Sequence, residues 1–141
     1  MSSTRWLGAA VLAGLTVVAV GIGRGGGLEP AIRTIQIDIH YSHFAPAALT
    51  VPAGVRIRFV IVNGDPIGHE WIVGDEALHA RHRNGTETHH GDRPTEQSIA
   101  AGQTVETVVT FVTPGTLTYV CHLPGHEAYG MLGTLRVVGG G

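Results

Sequence analysis

From Thr34 onward, apolar and polar residues alternate along the chain with a period of two. Ile35, Ile37 and Ile39 are separated by polar neighbours, and Val55, Ile57, Phe59 and Ile61 alternate with Arg56 and Arg58. A half-buried strand reads this way, because successive side chains point to opposite sides of the backbone. The same alternation returns within Ser98–Phe111 at Val105, Thr107, Val109 and Phe111, and again at Leu117, Tyr119 and Cys121; Thr134–Val138 supplies a closing strand. His69 opens a further strand running through Trp71 to Val73. Asn63-Gly-Asp-Pro66 and Thr113-Pro-Gly115 read as turns, and Phe44-Ala-Pro46 with Val51-Pro-Ala-Gly54 as a turn-rich crossing. A short helix fits only around Glu76–His82. Short strands, frequent turns and no long 3.6-residue periodicity predict an all-β sandwich or barrel.

The first 27 residues follow a different pattern. A short Ser/Thr head with Arg5 precedes Trp6–Gly23, eighteen residues without a charge and with Thr16 as the one polar side chain, and Arg24 and a glycine run follow. This is an export signal or a membrane anchor with a flexible linker, leaving residues 28–141 as one domain of ordinary size. An apolar run of about 18 residues can span a bilayer, and signal-peptide cores are usually shorter, so the length favours a retained anchor over a cleaved signal. The segment has no cysteine, which excludes a lipoprotein anchor. Either way the domain is expected outside the cytoplasm, periplasmic or extracellular, tethered to the membrane or secreted.

Charge narrows the partners. The net charge of −2 provides no basic field for nucleic acid. The single cysteine, Cys121, cannot form an internal disulfide, so in an exported domain it is a metal ligand, a reactive thiol or an intermolecular bridge. A zinc site built on several cysteines is ruled out by count.

The chemistry concentrates in Tyr119-Val-Cys-His-Leu-Pro-Gly-His-Glu-Ala-Tyr-Gly-Met131, where Cys121, His126 and Met131 stand five residues apart. Each alone reads as a buried thiol, a surface histidine or a core gap-filler. Together they place the only Cys and the only internal Met in one Gly/Pro-punctuated loop, which packing does not explain. Thiolate, imidazole and thioether are the donors copper uses best, and two histidines with one cysteine and a weak axial Met form the blue-copper geometry. The second histidine must come from elsewhere, and His69 in Gly68-His-Glu-Trp-Ile-Val73 is the candidate. A Cys–His hydrolase needs a thiolate beside its base and gives no reason for Met131 or for the Gly-Met-Leu-Gly133 ending.

The stretch Tyr119–Val137 resembles the C-terminal signature of cupredoxins, the plastocyanin/azurin-like small blue copper proteins, with the spacing Cys-x4-His-x4-Met, then Gly, then a last strand. The resemblance extends over about residues 34–138. It implies a Greek-key β-sandwich and one type 1 copper ion held by His69, Cys121, His126 and Met131. It also implies transfer of single electrons between redox partner proteins rather than enzymatic turnover. His126, in the loop, would be the electron port, with Leu123, Pro124 and Gly125 as part of an apolar docking patch. Many relatives carry Asn directly after the early histidine; here Glu70 stands there.

Two features fall outside that pattern. Asp75–Pro94 is long, polar and rich in His79, His82, His89 and His90, with Arg81, Arg83 and Arg93. It reads as a solvated insertion, or as a second, labile metal site suited to copper capture or delivery. His122, beside Cys121, should point away from the copper by the period-two rule, toward the surface. A histidine in this position binds a catalytic copper in nitrite reductase-like and multicopper oxidases, but those need several such domains, so that use would require an oligomer.

Overall fold

A computed structural model describes residues 31–85 and 90–139. The expected anchor and linker, the boundary between residues 27 and 28, and His89 lie outside them. The described residues form nine strands and two short helices: β1 (Arg33–His40), β2 (His43–Ala45), β3 (Ala48–Pro52), β4 (Arg56–Asn63), β5 (His69–Gly74), α1 (Glu76–Arg83), β6 (Glu96–Ile99), β7 (Thr104–Thr110), β8 (Gly115–Val120), α2 (His126–Tyr129) and β9 (Leu132–Val138). Strands β2-β1-β4-β7 make one sheet and β3-β9-β8-β5-β6 the other. The β1–β4 and β3–β9 pairs are parallel, and the remaining pairs antiparallel. The sheets pack face to face as an open sandwich, so of sandwich or barrel the sandwich is what forms.

The core is the sum of the inward sides of the alternating strands. Ile37, Ile39, Ile57, Phe59 and Ile61 come from one sheet and Trp71, Tyr119, Leu135 and Val137 from the other, all buried. Each such side chain contributes about 1.5–3 kcal/mol by leaving water. Phe59 and Trp71 meet across the layers with ring centroids 4.8 Å apart. Tyr119 lies flat over Gly133, its cross-strand partner, where an added Cβ would come within 2.2 Å of the ring. Its hydroxyl donates to the Pro46 carbonyl at 2.6 Å.

Three expectations change. Phe44 and Val51 lie in short strands, β2 and β3, which pair along β1 and β9. The alternation in Ser98–Phe111 is two strands, β6 and β7, because the chain leaves one sheet for the other through a turn closed by Gln103 N–H donating to the Ala100 carbonyl at 3.1 Å. The Asp75–Pro94 insertion is not simply solvated. Its helix α1, N-capped by the Asp75 carboxylate accepting from Leu78 N–H at 2.9 Å, packs on the outer face of β5. Strand β5 is therefore buried on both faces from His69 to Val73, and His79, His90 and Glu96 are buried with it.

Candidate metal centre

Period two on β5 turns His69, Trp71 and Val73 toward the space between the sheets, with Glu70 and Ile72 on the other side. The continuation of β8 does the same, with Tyr119 and Cys121 inward and Val120 and His122 outward. The two strands pair, so His69 and Cys121 arrive at the same end of the sandwich. Beyond Cys121 the chain reverses through Pro124-Gly125, with Gly125 at φ 84°, a left-handed conformation that glycine adopts without a Cβ penalty. Helix α2 then returns the chain. Met131 N–H donates to the His126 carbonyl at 2.9 Å, and Cys121 N–H to the Met131 carbonyl at 3.1 Å. These two bonds tie the loop to itself at its narrowest point.

Three predicted donors converge. His69 Nδ1 lies 3.3 Å from His126 Nδ1, and Cys121 Sγ lies 3.3 Å from the same nitrogen. All three ligand atoms fall within 4.8 Å of one another. His69 and Cys121 are almost wholly buried, at 2% and 0% exposure, and His126 is partly exposed. Met131 is fully buried and is bonded through its backbone to both loop donors.

The donors are aimed as well as gathered. His69 Nε2 lies 2.9 Å from Asp65 Oδ2, which makes it the protonated nitrogen and leaves the Nδ1 lone pair facing the other donors. Asp65 in turn accepts from the Tyr41 and Ser42 amides at 2.7 and 2.8 Å. Those residues form the two-residue turn between β1 and β2, with φ of 51° and 54°. Burial pushes the Asp65 carboxyl up, but these amides and the His69 ring outweigh it and hold it below the usual carboxylate range. Glu70 N–H donates to Cys121 Sγ at 3.3 Å, and a Glu70 carboxylate oxygen accepts from His122 N–H at 3.3 Å. Glu70 thus braces the Cys121 segment from both its backbone and its side chain.

Electrostatics suit a soft cation. Burial pushes the Cys121 thiol up, against the stabilising Glu70 amide, so the metal-free protein keeps the thiol proton and binding a cation displaces it. Burial, followed by the neighbouring His69, holds the His126 imidazole below its ordinary pKa, and it stays neutral and able to ligate. Two imidazoles, a thiolate and a thioether at a largely buried, braced end of the sandwich fit copper.

Asp65 was hidden inside a stretch that reads as a turn; a carboxylate four residues before a strand-opening histidine was the available signal. His122 is a correction. It points away from Cys121 as expected but does not reach the surface: its side chain is 4% exposed and its Nε2 lies 2.9 Å from His79 Nδ1 beneath α1.

Comparison with known proteins agrees with this geometry. The family model for copper binding proteins of the plastocyanin/azurin family matches residues 33–138. A copper-resistant cuproprotein, CopI, of Rubrivivax gelatinosus is 36% identical over 120 residues, covering 82% of this chain and 72% of that protein. Auracyanin-B of Chloroflexus aurantiacus is 31% identical over 109 residues, 67% of this chain and 46% of its own length. Among solved structures, auracyanin A, a "blue" copper protein from the green thermophilic photosynthetic bacterium Chloroflexus aurantiacus, superposes with a TM-score of 0.62 at 28% identity, covering 77% of this chain and 100% of that one.

Proposed function

This chain belongs to the plastocyanin/azurin family of copper-binding proteins, and on that premise we propose that it carries single electrons between redox partner proteins outside the cytoplasm. Copper is its cofactor. The ligand set proposed is His69, Cys121 and His126, with Met131 as the axial donor. The observation that carries the reading is the convergence of His69 Nδ1, Cys121 Sγ and His126 Nδ1 within 4.8 Å at one braced end of the sandwich. A copper ion held there supplies a one-electron Cu(II)/Cu(I) couple.

The chain's own residues supply the rest. Asp65 fixes the His69 ring, Glu70 holds the Cys121 segment, and the Met131–His126 and Cys121–Met131 bonds close the loop. A site so held resists rearrangement when the charge on the ion changes, which keeps reorganisation small. His126 is the only partly exposed member of the trigonal set, and Leu123, Pro124 and Gly125 lie beside it at the surface. This is the proposed port and docking patch; small, weak contacts suit partners that must separate quickly. The role is that of a carrier, not an enzyme. No helix among the described residues is long and apolar enough to cross a membrane, so tethering through Trp6–Gly23 rests on that stretch's composition.

A second reading, copper handling in copper resistance, is favoured by the similarity to the copper-resistant cuproprotein CopI of Rubrivivax gelatinosus, 36% identical. One experiment separates the two. The full chain is loaded with Cu(II) beside a Cys121→Ser variant, then cycled between reductant and oxidant against a copper chelator. An intense thiolate-to-copper band, absent in the variant and recovered in full over repeated cycles, is the expected result. Loss of copper on each reduction would favour copper handling; a colourless copper-binding protein would overturn the type 1 assignment.

A further inference from the structure

The period-two rule that sends His69 and Cys121 inward sends Glu70 and His122 outward, and the outer face they share is where the chain spends its surplus histidines. Under α1, His82 Nε2 lies 3.4 Å from Glu96 Oε2, and His90 Nδ1 lies 3.8 Å from the same oxygen. The two imidazoles meet edge to face with centroids 4.8 Å apart. One donor atom from each of His82, His90 and Glu96 falls within 4.8 Å of the others. Their side chains are 8%, 5% and 4% exposed. A cleft of about 740 Å³ opens onto His82 and His90, with Glu70, His122 and Leu123 in its wall.

We propose that His82, His90 and Glu96 form a second metal site, separate from the copper centre, for a divalent first-row transition ion that prefers nitrogen and oxygen donors. An ion bound at about 2.0–2.1 Å holds tetrahedral ligands about 3.3 Å apart. The 3.4 Å pair already has that spacing, and the 3.8 Å pair needs a small side-chain rotation. Two imidazoles and a carboxylate, with no sulfur, suit Zn(II), Ni(II) and Cu(II), and the first-row order makes Cu(II) the tightest.

Each donor is mounted on ordered backbone. His82 sits on the capped helix α1 and its ring stacks on His122, with an interplanar angle of 8°. His90 is pinned to β6: its N–H donates to Ser98 Oγ at 2.8 Å and its carbonyl accepts from Ser98 N–H at 3.0 Å. Glu96 opens β6, with its N–H on the Arg93 carbonyl at 2.9 Å. Glu70 Oε1 lies 3.5 Å from His90 Nε2, so a carboxylate stands behind the ring on the side away from Glu96. The rival use of Glu96 is its contact with Arg93 Nη1, 3.1 Å from both carboxylate oxygens. Arg93 is 61% exposed, so it can move into solvent as an ion enters.

The test is a metal count on the full chain. After dialysis against Cu(II), the wild type should hold two ions per chain. One should carry the thiolate band and the other a tetragonal nitrogen/oxygen Cu(II) signal by electron paramagnetic resonance. His82→Ala and Glu96→Gln should each leave the thiolate band intact, which also reports folding, while the second ion's affinity falls about 100-fold or more. In Cys121→Ser the tetragonal signal of the second ion should persist, so failure of the blue-copper assignment is distinguishable from failure of this one. A wild type that holds no ion with the tetragonal nitrogen/oxygen signal overturns the proposal. So does a second ion whose affinity is unchanged in the His82→Ala/Glu96→Gln double variant, because that ion then lies on other histidines.

Discussion

Asp65→Asn tests whether the copper centre is aimed from behind. The carboxylate receives three donors at 2.7, 2.8 and 2.9 Å, from Tyr41, Ser42 and His69. An asparagine of nearly the same shape offers one carbonyl oxygen and an NH2 group, so at least one of those donors is left facing another donor. Hydrogen bonds to a charged acceptor are worth about 1.5–3 kcal/mol against about 1 kcal/mol for neutral ones. The two amides also hold Tyr41 and Ser42 in left-handed conformations, which cost about 1–2 kcal/mol each. The metal-free variant should therefore be less stable by about 2–3 kcal/mol in urea unfolding. With the His69 tautomer no longer dictated, copper affinity should fall about 10–100-fold in competition with a chelator, read at the thiolate band. Removal of a negative charge beside the site should also raise the reduction potential, a change that loss of packing alone does not cause. Affinity within twofold of wild type, with the potential unmoved, would refute the idea that Asp65 orients His69.

Three further outcomes follow from the same structure. Gly133→Ala places a methyl group within 2.2 Å of the Tyr119 ring, which the Pro46 carbonyl holds in place; thermal unfolding should show a loss of about 3 kcal/mol. Met131→Leu removes the proposed axial thioether while keeping volume, and voltammetry should find a higher potential with the thiolate band retained. Burial holds His122 down to about 4 from an ordinary 6.5. The unfolded chain thus binds a proton that the folded chain refuses between those values, and the metal-free protein should lose stability as pH falls through that window. The loss from this residue is at most about 3.5 kcal/mol, since one pKa unit is about 1.4 kcal/mol. Unfolding midpoints of His122→Gln should depend less on pH across the same range.

Much of the site was legible from residue type and spacing. Cys121, His126 and Met131 share one loop, and a loop brings its own residues together whatever the rest of the chain does. His69 was readable because it opens a strand at a turn, in a register that continues through Trp71 and Val73. The spacing of Asp65 from His69 was a signal, but its task was not readable, because it depends on a hairpin turn more than twenty residues earlier in the chain. The carboxylate role of Glu70 depends likewise on the backbone of His122, fifty-two residues later. Ser98–Phe111 looked continuous because alternation records only which side of a strand is buried; it does not record a change of sheet.

Local pattern was therefore enough for the class of fold, the inward and outward faces of the main strands and the choice of candidate soft donors. These follow from the pleat and from side-chain chemistry, both properties of a short stretch of chain. The folded chain was needed for what stands behind the donors and for what lies on the other face of the same sheet. The Asp75–Pro94 segment carries no apolar periodicity that would announce a buried face. It closes over β5 because a helix capped at Asp75 packs there, and that long-range packing sets His79 and His82 against His122 and brings His90 and Glu96 to His82. Alternation had set His122 on the face away from the copper; tertiary contact turned that face into an interior.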